Sequence, residues 1–148
     1  MESLDVDRFI MLFKESYKCR DIIESLFNND AFELTRVIGQ TDDLSWFTGE
    51  YFQHFYEHVG EVYYYDDGCG DGCGDEWSCF VKLDNGFYFY MEATTDLNSG
   101  FTGYGESKMF ACRDIDSMLT FGLTETARAR VEKAQTEHVA RAALLLLQ

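Results

Sequence analysis

Two histidines flanking a glutamate form the most recognisable chemical pattern in the chain. His54, Glu57 and His58 follow the spacing H-x-x-E-H, in which two imidazoles one helical turn apart can share a Zn²⁺ while the glutamate acts as a general base. A zinc hydrolase of this type also needs a third ligand from another helix. The alternative interpretation is that both histidines border the packed face of a helix on which Phe55 is the core residue.

The acidic segment 66–76 is rich in glycine and contains two cysteines, Cys69 and Cys73. Their spacing lies within the range of zinc-binding cysteine pairs, and Cys79 would add a third thiolate. The carboxylates of the segment also suit Ca²⁺, although their spacing is not that of an EF-hand loop. Because no complete ligand set is visible for either ion, we expect no cofactor and keep zinc or calcium as the alternative. Without a metal, the segment would be a solvated connection between strands.

The formal net charge of −15 is the most unusual property of the composition. Residues 42–96 contain thirteen acidic residues and one basic residue, Lys82, so this part alone carries a net charge of −12. Such a field repels nucleic acid and anionic membranes and attracts cationic partners. We therefore expect a basic protein partner, and no direct binding to nucleic acid or membrane. The alternative is that the acidic residues only keep an aromatic-rich chain in solution.

The residues predicted to bind such a partner are two acidic groups and three tyrosines. In chain order they are Asp42, Asp43, Glu50, Tyr64, Asp66, Asp67, Asp71, Asp75, Glu76, Tyr88 and Tyr90. The tyrosines, with Trp77, would line one open face of a sheet, since Tyr and Trp dominate the hot spots of protein interfaces. Alternatively, helices cover both faces of the sheet and the aromatic side chains form its core.

Apolar residues at helical spacing predict helices in the first sixty residues. Ser3 is the predicted cap of a first helix over residues 6–17. The helical pattern resumes over residues 22–27, stops at Asn28-Asn29-Asp30 and continues weakly through residues 32–38. Thr41, followed by two aspartates, would open a third helix that Gly60 ends.

Residues 61–113 show the alternation typical of β-strands. Asn85-Gly86 lies between two β-rich runs and predicts a hairpin with a type I′ turn. In the first strand, alternation would place Val62 and Tyr64 on one face and Tyr63 and Tyr65 on the other. Sequential antiparallel pairing of four strands is the simplest topology.

The predicted fold class is α+β within a single domain of 148 residues. N-terminal helices occupy residues 1–60, a four-stranded antiparallel meander occupies 61–113, and C-terminal helices occupy 114–148. In the last part Asp114 would cap a short helix, and Leu123-Thr124 would begin the final one. A chain of this length, 46% hydrophobic, can bury a core without disulfides or metal.

The cysteine count and the N-terminal residues predict a cytoplasmic protein with reduced thiols. The five cysteines are an odd number, and no basic segment followed by an apolar run precedes residue 20. The longest apolar run, residues 142–147, is far too short to cross a bilayer. Cys79 and Cys112 fall within predicted strands, where they read as small core residues. We therefore predict no catalytic residue.

Four short motifs mark the stretch from Trp77 to about Leu123. They are Asp84-Asn85-Gly86-Phe87-Tyr88-Phe89-Tyr90, Thr95-Asp96, the Gly-Phe-Thr-Gly-Tyr-Gly loop of residues 100–105, and Phe121-Gly122-Leu123-Thr124. This third of the chain resembles a group of small uncharacterised proteins of phages and other DNA viruses. The resemblance implies a viral accessory protein in the host cytoplasm, and it carries over no functional residue.

The leading functional hypothesis is a non-enzymatic binding protein whose carboxylates engage a basic protein partner. For a viral protein, that partner would be a host nucleic-acid-binding or defence protein, with the carboxylates imitating phosphates. Two alternatives remain open. One is a metal-binding domain. The other is a virion or assembly component that self-associates through the aromatic sheet and the C-terminal helix.

Overall fold

The computed structural model describes residues 1–15, 36–37, 43–66, 76–95 and 105–147. The elements within these ranges are α1 (Val6–Glu15), β1 (Arg36–Val37), α2 (Gly49–Gln53), β2 (Val59–Asp66), β3 (Glu76–Leu83), β4 (Tyr88–Thr95), β5 (Gly105–Cys112), α3 (Ile115–Ser117) and α4 (Glu125–Leu146). A 3₁₀ turn, Phe55–His58, joins α2 to β2, and a π-helical turn, Met118–Gly122, follows α3. The predicted α+β class is confirmed.

The strands of the described ranges form one sheet in the order β1-β5-β4-β3-β2. Strands β2 to β5 pair sequentially and antiparallel, which confirms the predicted meander. The two-residue strand β1 adds a parallel edge, with Arg36 opposite Phe110. The helical pattern predicted through residue 38 is wrong at this point, because two residues carry no periodicity of their own and the pairing with β5 decides their conformation.

The β3–β4 hairpin closes differently from the predicted type I′ turn. Leu83 and Phe87 are opposite each other, with the Leu83 amide donating to the Phe87 carbonyl at 2.8 Å, so the loop holds three residues. The Gly86 amide donates to the Leu83 carbonyl at 3.1 Å, and Gly86 has a φ of +89°. This is the pattern of a three-residue loop whose last residue is left-handed. Glycine is required there because it takes positive φ without steric cost.

Helices cover both faces of the sheet in the described ranges. On the first face, α1, α2 and the 3₁₀ turn pack through Phe9, Phe13, Phe52 and Phe55. On the second, the π-helical turn and α4 pack through Met118, Leu123, Ala127 and Val131. The sheet is therefore the middle layer of a helix–sheet–helix arrangement.

A β-bulge breaks the predicted alternation in β2. The register shifts between Val62 and Tyr64. Val62 and Tyr65 consequently contact the first core, whereas Tyr63 and Tyr64 both lie in the second. The prediction that Val62 and Tyr64 share a face is wrong, since the extra residue of a bulge turns the following side chains over.

Helix starts follow the cap residues, though not always those expected. Asp5, not Ser3, caps α1 by accepting from the Arg8 amide at 3.1 Å, while the Ser3 hydroxyl accepts from the Val62 amide at 3.2 Å. Ser3 therefore ties the N-terminus to β2.

Thr48 caps α2 by accepting from the Tyr51 amide at 3.1 Å. The predicted third helix from residue 41 to Gly60 is therefore wrong at the ends that the structure describes. Asp43 is not helical, and Gly60 lies in β2.

The expected caps in the C-terminal part are confirmed. Asp114 accepts from the Ser117 amide at 3.2 Å, and Thr124 accepts from the Ala127 amide at 3.1 Å. These hydrogen bonds satisfy donors that a helix N-terminus otherwise leaves unpaired. No helix among the described residues combines the length and the apolar character needed to cross a bilayer.

Candidate functional site

A shallow groove of about 440 Å³ lies where the segment before α2, α2 itself and the 3₁₀ turn meet. We call it the 46–58 groove. Its lining includes Trp46, Glu50, Tyr51, His54, Glu57 and His58. Aromatic rings, carboxylates and imidazoles are thus brought together in a cavity of the size that small ligands or side chains of a partner occupy.

The aromatic wall of the groove is anchored in the core. Trp46 is half-buried and packs on Phe87 with ring centroids 4.9 Å apart, and on Tyr51 at 5.4 Å. The indole Nε1 of Trp46 is shielded from solvent and has no hydrogen-bond partner among the described residues. Rings held between neighbours in this way give the groove a rigid apolar side.

The other side of the groove is held by the β3–β4 turn. The Asp84 carboxylate lies 3.0 Å from His58 Nδ1, and the His58 ring stacks on Tyr51 with centroids 4.2 Å apart. The Asp84 amide also donates to the His58 carbonyl at 2.7 Å. Burial, and then the charge of Asp84, raise the pKa of Tyr51, so its hydroxyl stays protonated and can donate toward Asp84.

A carboxylate on Nδ1 also orients the imidazole in catalytic triads. A triad needs a hydroxyl or thiol within hydrogen-bond reach of the same histidine. Among the residues that the structure describes, no serine, threonine or cysteine hydrogen-bonds to His58. The pair therefore fixes the shape of the groove, and we assign it no catalytic step.

The charge around the groove is negative. Glu50 and Glu57 are exposed, and so is Asp43, whose carboxylate accepts from the Ser45 amide at 2.9 Å. Hydrogen bonds from Ser45 lower the pKa of Asp43, which is therefore ionised at neutral pH. Within the described ranges, ion pairs join Glu92 to Arg130, Asp84 to His58 and Glu2 to His138, and none involves Glu50 or Glu57.

The predicted acidic residues do not form one patch. Asp43 and Glu50 lie at the groove, near the end of β2 where Val59 pairs with Leu83, whereas Asp66 is exposed at the other end, opposite Ser78. An eight-residue strand separates those ends by roughly 23 Å. Glu76 begins β3. The remaining predicted carboxylates, those of Asp42, Asp67, Asp71 and Asp75, lie outside the described residues.

The tyrosines predicted to face a partner belong mainly to the core. Tyr64 is 6% exposed and Tyr90 is fully buried. They lie beneath α4, and their hydroxyls contact Ser78 at 2.6 Å and Arg130 at 3.4 Å. Tyr88 is half-buried, with the ammonium of Lys82 5.3 Å from its ring centroid. The interpretation as core, with helices on both faces, is the one that these positions support.

The histidines of the H-x-x-E-H pattern do not lie on one continuous α-helix. His54 ends α2, and His58 ends the 3₁₀ turn. In the part of the chain that the structure describes, no three His, Cys, Asp or Glu side chains are grouped to hold a metal ion. Cys69 and Cys73, the other candidate zinc ligands, lie outside that part.

The apolar end of α4 is a second exposed feature. Leu144, Leu145, Leu146 and Leu147 are 62–87% exposed. Four consecutive helical residues point in four directions, so no single helix face gathers these leucines. Further back in α4, Ala127 and Val131 are buried against the sheet.

The sequence did not predict that Trp46, Tyr51 and Glu57 line one groove. The available signal was the density of aromatic, acidic and histidine residues within 46–58. Comparison with family models, with curated proteins and with solved structures found no match to this chain. The geometry and the charge of the groove are therefore the features that bear on function.

Proposed function

We propose that the protein is a non-enzymatic binding protein whose acidic surface engages a positively charged surface of a partner protein. The observation that supports this most is the pairing state of Glu50 and Glu57. Both carboxylates are exposed beside aromatic rings, and neither has a cationic partner among the described residues. A partner's lysines or arginines would supply the missing countercharge.

Charge decides the class of partner. A net charge of −15 attracts basic proteins and raises their rate of association, whereas it repels nucleic acid and anionic lipid. The aromatic wall adds apolar contact area at the same place, which charge alone would not provide. A basic protein surface would contact both the carboxylates and the aromatic wall.

More specifically, we propose that the protein is a viral accessory protein that inhibits a host nucleic-acid-binding or defence protein. The support is the resemblance of residues 77–123 to small viral proteins, together with the acidity. Carboxylates spaced over a rigid surface would occupy the cationic site that normally holds phosphates. Such an inhibitor acts in the host cytoplasm.

The test begins with capture from host-cell lysate at low salt, release by a salt step, and identification by mass spectrometry. The captured protein is then purified, and its dissociation constant is measured against wild type and two double variants. Glu50→Gln with Glu57→Gln removes two charges at the groove. Glu132→Gln with Glu137→Gln, on α4 across the sheet, removes the same charge elsewhere.

The proposal predicts weaker binding for the groove variant and nearly unchanged binding for the α4 variant. It also predicts that affinity falls as salt rises, because ions screen exposed charges. Salt-independent binding would contradict it. Equal weakening by both variants would show that only total charge matters.

The exposed leucines of α4 support self-association as a second candidate function. Leu145 is 70% exposed and Leu146 is 87% exposed, and contact with a second copy would remove their apolar surface from water. Because the net charge opposes contact between copies, self-association would strengthen with salt, opposite to binding of a basic partner. Sedimentation over a range of concentration and salt tests this. A monomer throughout would exclude self-association, and Leu145→Gln with Leu146→Gln should abolish any that is seen.

A further inference from the structure

We propose that the 46–58 groove binds an arginine side chain of the partner protein. This inference rests on the proposed function and identifies the chemical group that the groove would recognise. Two features meet in the groove: aromatic rings, and carboxylates that have no cationic partner among the described residues.

The two carboxylates come from different elements and line one groove. Glu50 lies in the first turn of α2, and Glu57 lies in the 3₁₀ turn after it. Both line the same groove. A guanidinium has five N–H donors in a planar fork and can satisfy two carboxylates at once, whereas an ammonium is a compact point charge.

The aromatic wall favours the same group. Trp46 and Tyr51 line the groove and are held by the Trp46–Phe87 and Tyr51–His58 contacts. A guanidinium is weakly hydrated and stacks on aromatic rings, while an ammonium keeps its water more tightly. The combination of ring surface and carboxylates therefore discriminates arginine from lysine.

The aromatic side of the groove is also preorganised for a ligand. His58 is held from one side by Asp84 at 3.0 Å and from the other by Tyr51. The ring side of the groove therefore needs little ordering on binding, whereas the ligand must order the exposed side chains of Glu50 and Glu57.

The chain offers a built-in reporter for the test. It has two tryptophans, Trp46 in the groove and Trp77, which is 3% exposed in the first core. Their indole N–H resonances can be followed by NMR while hexa-arginine, hexa-lysine or hexa-citrulline peptide is added. Citrulline keeps the shape of arginine and removes its charge.

Hexa-arginine should shift the Trp46 resonance and leave Trp77 nearly unchanged. Its affinity should exceed that of hexa-lysine and should fall about tenfold in the Glu50→Gln/Glu57→Gln variant, since two rim charges are lost. The Glu132→Gln/Glu137→Gln variant should bind like wild type, and hexa-citrulline should not bind. Circular dichroism of both variants verifies that the fold is retained.

Two outcomes would overturn the inference. If hexa-arginine binds without moving Trp46, and with equal affinity to the groove and α4 variants, the cation site lies elsewhere, although a general acidic binding surface stands. If hexa-lysine binds as tightly as hexa-arginine at the groove, the site recognises charge without selecting guanidinium. Failure of the proposed function itself would appear separately, as salt-independent binding of the captured partner.

Discussion

The Asp84 carboxylate lies 3.0 Å from Nδ1 of His58 and links the β3–β4 turn to the wall of the groove. The β3–β4 hairpin thus also positions the His58 side chain of the candidate site. Asp84→Asn should loosen this link. Since both side chains are partly exposed, the free energy of unfolding should fall by no more than about 1 kcal/mol.

Asp84→Asn should change the orientation of the His58 ring even though it changes the free energy of unfolding little. The His58 ring should lose its fixed stacking on Tyr51, which NMR detects as a change in the imidazole resonances and in contacts between the two rings. Asp66→Asn, at the far end of β2, is the control and should leave those resonances unchanged. An undisturbed His58 in the Asp84 variant would show that the carboxylate does not hold the ring.

Tyr64 and Ser78 should contribute to the free energy of unfolding as a coupled pair. Their side-chain oxygens lie 2.6 Å apart, and both residues are buried. Ser78→Ala leaves a buried hydroxyl without its partner and should lower the free energy of unfolding by about 1–3 kcal/mol. Tyr64→Phe combined with Ser78→Ala should cost less than the sum of the single changes. Urea denaturation of the four proteins measures the coupling, and additive losses would contradict it.

Stability should decline at alkaline pH because of the buried tyrosines. Burial raises the pKa of Tyr64 and Tyr90 above the ordinary value, although hydrogen bonds from Ser78 and Arg130 partly oppose this. The folded state then holds these protons after the unfolded chain has released them. The stabilisation is complete below about pH 10, the tyrosine pKa in the unfolded chain, and is lost as the pH rises above that value.

The measurement is the urea midpoint as a function of pH, for wild type and Tyr90→Phe. The wild-type midpoint should fall above pH 10, and the variant should show a shallower decline because it lacks one of the shifted groups. Identical slopes for the two proteins would contradict the assignment of this loss to Tyr90.

Glycine should be required at residue 86 but not at residue 60. Gly86 has a φ of +89°, and a Cβ there would meet no atom within 4 Å, so the cost of Gly86→Ala is purely conformational. It should be about 1 kcal/mol. A Cβ at Gly60 would make an ordinary 3.6 Å contact with the Lys82 carbonyl. Thermal unfolding should therefore separate the two alanine variants, and equal melting temperatures would contradict this difference.

Much of the fold was predictable because local signals agree with the tertiary arrangement. Alternation in β3 and β4, the position of the hairpin at Asn85-Gly86 (though not its turn type) and the caps Asp114 and Thr124 are each predicted from a few neighbouring residues. The bulge in β2 was not predictable, since the three consecutive tyrosines Tyr63 to Tyr65 fit either face equally well. The pairing of Arg36–Val37 with β5 depends on distant residues and leaves no local pattern.

The candidate site was predictable only in its charge. Glu50, His54 and His58 stood out by type and spacing, but Trp46 and Tyr51 resemble any other core aromatic in sequence. The break between α2 and the 3₁₀ turn puts His54 at the end of one element and His58 at the end of the next, which the H-x-x-E-H spacing does not reveal. Whether the tyrosines of the sheet are exposed or buried could not be predicted, because their burial depends on the packing of α4 over them.

The dependence of partner affinity on salt tests the central claim most directly. The captured partner is titrated with wild type and with the Glu50→Gln/Glu57→Gln variant at low and high ionic strength. We expect the wild-type dissociation constant to rise by about tenfold or more between the two conditions, and the variant to show a smaller change. A dissociation constant that is the same at both ionic strengths would contradict the proposal that the acidic surface binds the partner.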